Sequence, residues 1–250
     1  MHYWNKDNFE GLLELARELE KVHELTALAE YCNLRQKGLR AQSFAKLSDF
    51  LNEATLWNID RARRNVLTIL QAQAQIPAAH QFVSHPLLTR LIYPTLEQWK
   101  LDEPSAIEPL RWLGLLRSDR DALSRALALA PGDIASRRRL ISLALADADY
   151  ATHHLSESVL LLSVEEARAA IATVKQLLAS APDIQQFTDL EAEAAADEQM
   201  IDDWVAYRQS PVGTFPQWCD ARGRTYAWPT IVYYDDDPDQ PDHAANTAGQ

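Results

Sequence analysis

Apolar side chains recur at intervals of three and four residues along nearly the whole of this 250-residue chain. That spacing lines one face of an α-helix and does not fit the two-residue period of a strand. Phe9, Leu12, Leu13, Ala16 and Leu19 set out a first helix, capped by Asp7 or Asn8. Leu25, Leu28, Ala29 and Cys32 set out a second, which Gly38 ends, and Phe44, Leu47, Phe50, Leu51 and Ala54 a third. Asn58 or Asp60 opens a fourth that Pro77 closes, and Pro86 opens a fifth in which Pro94 predicts a kink or a break. Glu103 and Pro104 start a sixth, Asp119 a seventh ended by Pro131 and Gly132, and Asp133 an eighth reaching about Ala148. Ser163, with Glu166 three residues on, makes a capping box for a ninth, and Asp183 opens a tenth that ends near Tyr207. The best strand signal is residues 230–234, TIVYY, and it has no obvious partner. The chain therefore reads as all-α, with about ten helices in antiparallel pairs joined by short turns.

Beyond Tyr207 the character changes. Pro211, Gly213, Pro216, Gly223 and Pro229 interrupt helix, while Phe215, Trp218, Tyr226, Trp228, Tyr233 and Tyr234 crowd together. So much aromatic surface is costly to leave in water, which predicts a segment, 210–234, that folds back over the end of a helical domain, 1–209. Residues 235–250 are acidic and poor in apolar side chains, the composition of a disordered tail.

Glycine occurs only 7 times. That is too few for phosphate-cradling loops, and none of the metalloprotease, nucleophile-elbow, P-loop or dinucleotide motifs is present. The reading calls for no cofactor. The net charge is −12, which disfavours non-specific nucleic-acid binding, since that needs Lys and Arg to displace counterions. No apolar run approaches the ~20 residues that span a bilayer. The first residues carry no secretory pattern, and Cys32 and Cys219 form no CxxC motif. The expectation is a cytoplasmic protein that contacts neither nucleic acid nor membrane.

The charge is unevenly placed. Residues 1–175 are nearly neutral, and residues 176–250 hold 3 basic and 14 acidic side chains. Between Lys175 and Arg208 there is no Lys or Arg, while Asp183, Asp189, Glu191, Glu193, Asp197, Glu198, Asp202 and Asp203 fill the interval. A helix that forgoes mixed-sign i,i+4 support is either a solubilising face paired with arginines from elsewhere or a docking face for a basic protein. These eight carboxylates are the candidate partner-binding residues. Two arginine trios, Arg61, Arg63 and Arg64 and then Arg137, Arg138 and Arg139, fan around their helices and read as solvated faces. The densest chemical constellation runs from Asp147 to Glu157. There Asp147, Asp149, His153 and His154 are candidates for a metal-dependent site, or else a helix end with Tyr150 packed inward.

The stretch Leu123, Ala126, Leu127, Leu129, Pro131, Asp133, Arg137, Leu140 and Leu143 resembles the junction between tetratricopeptide repeats over about 35 residues. Trp112, Leu113 and Gly114 depart from the spacing of that repeat's opening, and Pro182 follows Pro131 by 51 residues rather than 34. The resemblance implies a degenerate helical-repeat solenoid or bundle with a protein-binding surface. The overall profile is similar to that of bacterial toxin immunity proteins. This likeness implies a non-catalytic protein that binds and occludes a cognate, basic, nucleic-acid-acting toxin. The alternatives are a regulatory scaffold that binds a peptide in its groove, and a metal-dependent enzyme.

Overall fold

The computed structural model describes residues 6–79 and 82–228, with side chains from residue 11 onward. Twelve α-helical segments are described: α1 (Lys6–Leu19), α2 (Thr26–Gln36), α3 (Arg40–Ala54), α4 (Ile59–Gln75), α5 (His85–Leu87), α6 (Tyr93–Asp102), α7 (Ile107–Arg117), α8 (Arg120–Leu129), α9 (Ile134–Thr152), α10 (Val164–Ala179), α11 (Thr188–Gln209) and α12 (Phe215–Asp220). Among the described residues there is no strand, and the fold is all-α. The expected strand at 230–234 and the expected tail at 235–250 lie outside the described residues, as do the side chains of Asp7 and Asn8.

Helix α2 packs on α1 and α3, α4 packs on α1 and α6, and from α6 to α12 each helix packs on the next, with α7 and α9 also touching the helix after next. The largest core gathers Leu15, Leu28, Tyr31, Phe50, Ile69 and Phe82 from the first half of the chain. Burying each such side chain contributes roughly 1.5–3 kcal/mol. The second half is held by smaller cores, one around Ile141, Val174, Phe187 and Leu190, and one around Trp204, Tyr207, Phe215 and Trp218. Two glycines permit close approaches. A Cβ on Gly11 would lie 2.6 Å from the carbonyl carbon of Ala78, and one on Gly114 would lie 2.6 Å from Leu123 on α8. Cys32 and Cys219 are free and buried, and burial pushes their thiols up to about 12 and about 11.

Most helix ends follow their local chemistry. Asn58 Oδ1 accepts from Arg61 N, Asp119 caps α8, and Ser163 and Glu166 close the expected capping box on α10. Four ends differ for identifiable reasons. At Pro94 the helix is not broken but changes type, and Pro94 falls in the first turn of α6. A π-turn (Leu88–Ile92) joins α5 to α6, with Tyr93 N donating to Leu88 O, and the register change falls at the residue that has no N–H to give. The helix expected at Glu103 begins at Ile107, because Glu103 ends α6 and its carboxylate receives Arg63 at 2.7 Å. Asp133 holds the N-cap position of α9, but its carboxylate accepts from Arg111 Nε at 2.9 Å and Ser136 Oγ at 2.6 Å rather than from the helix amides. Asp183 caps a short 3-10 turn (Ile184–Phe187), and α11 starts only after it.

The segment after Tyr207 is more regular than its prolines and glycines suggest. Thr214 and Gln217 form a second capping box, and Pro216 falls in the first turn of α12, where its missing N–H leaves nothing unbonded. Phe215 and Trp218 are buried against Trp204 and Tyr207 of α11. Tyr226 and Trp228 are half-buried on the same cluster.

Candidate docking surface

The eight acidic residues do not form one exposed row. Asp183 accepts from Gln185 N and Gln186 Nε2. Asp189 receives Arg138 of α9, which holds its carboxyl below the usual range. Glu198 receives Lys175 of α10 at 2.5 and 2.7 Å, and Asp202 receives Arg168 at 2.7 Å. Asp203 is buried. It accepts from Tyr226 Oη at 2.5 Å and Gln199 Nε2 at 3.2 Å, with Arg224 Nε at 3.3 Å. Burial together with this carboxylate raises the Tyr226 phenol. Five of the eight carboxylates are thus bonded within the chain, and three tie α11 to α9 or α10.

Glu191, Glu193 and Asp197 are left, with no cation within ion-pair distance among the described residues. They lie on the N-terminal half of α11, and Asp149 of α9 adds to the same charge. Burial, then Glu193, then Asp149, push the Asp197 carboxyl up to about 6. Among the described residues no cation lies within ion-pair distance of this half-buried group.

Beside Asp149 lies an exposed aromatic ridge. Tyr150 is 56% exposed, contrary to the inward packing its sequence context suggests. Its ring lies 5.6 Å from that of His153, and the His153 and His154 rings are 4.4 Å apart. Tyr150 points outward because the α9 positions that face the core are Ala144, Leu145, Ala148, Ala151 and Thr152. The cluster from Asp147 to Glu157 does not converge. Asp147 pairs with Arg120 at 2.7 Å, His154 Nδ1 lies 3.1 Å from Glu157, and His153 Nδ1 lies 3.2 Å from the Asp149 carbonyl at the helix end. Helix α9 stops at Thr152, so His153 and Glu157 share no helical face. Among the described residues, no three His, Cys, Asp or Glu side chains are grouped to hold a metal.

The arginine trios also resolve. Arg138 pairs with Asp189, Arg139 donates to Ser118 Oγ, and Arg63 bridges Asp102 and Glu103. Arg137 departs from the expected solvated face, being only 2% exposed. It donates to the carbonyls of Leu177 and Pro131 and to Ser180 Oγ, and burial lowers its pKa.

A second concave feature is not legible in the sequence. Val159, Leu160 and Leu162 of the connection between α9 and α10, with Val164 at the start of α10, face Trp204 and Val205 of α11 across an open groove of about 750 Å³, which Arg208 also lines. Nothing in the sequence pairs residues 159–164 with α11, and only their unusual apolar run hints at it. No helix among the described residues is long and apolar enough to cross a membrane. Comparison with protein-family models, with curated proteins and with solved structures returns no match.

Proposed function

We propose that this chain is a non-catalytic protein-binding module that docks a basic protein on the α9–α11 face, and in its most specific form an immunity protein that occludes a basic toxin. The observation that carries the reading is the group Asp149, Glu193 and Asp197, three carboxylates brought together from two helices with no cation within ion-pair distance among the described residues. Uncompensated negative charge raises the rate at which a cationic surface finds this face, and a Lys or Arg delivered to Asp197 relieves its repulsion. Exposed Tyr150, next to Asp149, supplies the aromatic contact that an incoming arginine favours.

The test begins with a partner recovered from the native cell by pull-down on the full chain and identified by mass spectrometry. Its association rate is then compared for the wild type and for Glu191→Gln/Glu193→Gln/Asp197→Asn at two salt concentrations. The expected result is a lower on-rate and a flatter salt dependence for the triple variant, with Arg64→Gln as the unchanged control. Wild-type rates in the triple variant would remove this face from the interface. Affinity should also fall below about pH 6, because a protonated Asp197 no longer attracts a cation.

A second reading, a scaffold that takes up a peptide, is favoured by the apolar groove beside Trp204. The two readings predict separate variants, since the groove and the carboxylate group use different residues of α11.

A further inference from the structure

Arg137 stands near the N-terminal end of α9, about 18 Å along the helix from Asp149. A guanidinium carries five N–H groups. Arg137 gives three of them to Leu177 O, to Ser180 Oγ at 2.7 Å and to Pro131 O at 2.8 Å. The Nε–H and one N–H on Nη2 have no acceptor among the described residues. All three acceptors are neutral, and no carboxylate among the described residues lies within ion-pair distance. The residue is nevertheless only 2% exposed, and burial alone lowers its pKa. A charge so deeply buried ordinarily has a counter-charge beside it.

Arg137 also lines a hollow of about 100 Å³, room for about three waters. Pro131, Gly132 and Ile134 come to it from the turn into α9, and Pro182, Asp183 and Phe187 from the turn before α11. The end of α9 adds positive potential to the same place. The Asp133 carboxylate is taken by Arg111 and Ser136 Oγ, so no side chain caps the first-turn amides of this 19-residue helix. Asp183 is the one carboxylate in the lining, and its two oxygens already accept from Gln185 N and Gln186 Nε2. The hollow therefore joins an apolar rim to a buried cation that has donors to spare.

We infer that this hollow is a carboxylate-binding site, in which one carboxylate accepts from the Nε–H and Nη2–H groups of Arg137 and its apolar stem lies against Pro131, Ile134 and Pro182. A planar carboxylate has two oxygens to offer a guanidinium that has two N–H groups left. A single charge suits the site better than the double charge of sulfate or phosphate, because Asp183 stands in the lining. The inference is independent of the acidic docking face, which attracts cations at the other end of α9.

The test is a nuclear magnetic resonance titration of the isotope-labelled full chain, with sodium propionate as probe and sodium sulfate at matched ionic strength for comparison. Propionate should move the Arg137 Nε–H resonance and the Ile134 amide along a saturating curve, and sulfate should move them far less. No saturation with propionate, or equal shifts from the two salts, would overturn the inference. Two capped peptides then separate the sources of the carboxylate, acetyl-Ala-Val with a free C-terminus and acetyl-Ala-Glu-Ala-amide. Tighter binding of the first assigns the site to a chain terminus, and of the second to an acidic side chain. Binding of neither beyond that of propionate assigns it to a free small acid.

The variant Ile134→Asp puts a second negative charge at the hollow and leaves the three bonds of Arg137 in place. Ile134 is 41% exposed, and an acidic residue in the first turn of a helix is favourable, so the fold is kept. Propionate should bind this variant roughly tenfold more weakly than wild type. Unchanged binding would place the anion elsewhere and overturn the assignment.

Discussion

Asp197 illustrates how one side chain can be identified by what it lacks. It stands half-buried beside Glu193 and Asp149 with no counter-ion among the described residues, and its carboxyl is pushed up to about 6 from the usual 3.8. The folded state therefore holds its proton more tightly than the unfolded chain does. Stability from this site falls as pH rises from about 4 to about 6 and is level above that. A shift of two units on a fully buried group would be worth almost 3 kcal/mol. Solvent screening around a half-exposed carboxylate reduces that to about 1 kcal/mol. Asp197→Asn should accordingly raise stability at pH 7 by about 1 kcal/mol and leave it nearly unchanged at pH 3.5. Urea unfolding at the two pH values checks this, and an equal effect at both would mean that packing, not charge, is responsible. The residue types were legible in the sequence. The convergence of Asp149 with Asp197 was not, because the two residues are 48 positions apart and on different helices.

At the scale of elements, the short-range signals worked wherever a helix end is closed by residues within four positions of it, as at Asn58, Asp119 and Ser163. They failed where a distant partner claims the capping group, as Arg63 claims Glu103 and Arg111 claims Asp133. Arg137 shows the same rule from the other side. Its position among three consecutive arginines suggested a solvated face, yet it ties the Pro131 turn to the last carbonyls of α10. A cation near a helix C-terminus is well placed electrostatically, and here it also joins two helix junctions. Arg137→Gln should remove those bonds, leave buried acceptors unpaired and lower stability by roughly 3 kcal/mol, while Arg64→Gln changes it by less than about 0.5 kcal/mol. Chemical denaturation of the two variants makes the comparison, and equal midpoints would show that the Arg137 junction carries no stability.

For the whole molecule, the aromatic segment after α11 matters more than its length implies. Phe215, Trp218 and Cys219 complete a core that otherwise consists of Leu155, Trp204 and Tyr207. A chain ended at Ser210 leaves those three exposed to water and should melt roughly 10 °C lower. A chain ended at Tyr234 should melt within about 2 °C of wild type. Thermal unfolding followed by circular dichroism decides it, and equal melting of the two truncations would show that the segment contributes nothing to the core.

The sequence by itself determined the all-α class, most helix boundaries and the asymmetry of charge. These depend on periodicity, on capping residues within a turn of their targets, and on counting, all of which are local in the chain. Only the tertiary structure decided which carboxylates are paired. Asp189, Glu198 and Asp202 reach cations on α9 and α10, whereas Glu191, Glu193 and Asp197 reach none among the described residues. It also decided that Tyr150 faces outward and that a groove lies between residues 159–164 and α11. The physical reason is that an ion pair or a groove depends on distances between helices, and the relative placement of helices is set by the packing of their buried faces, which helical periodicity leaves open.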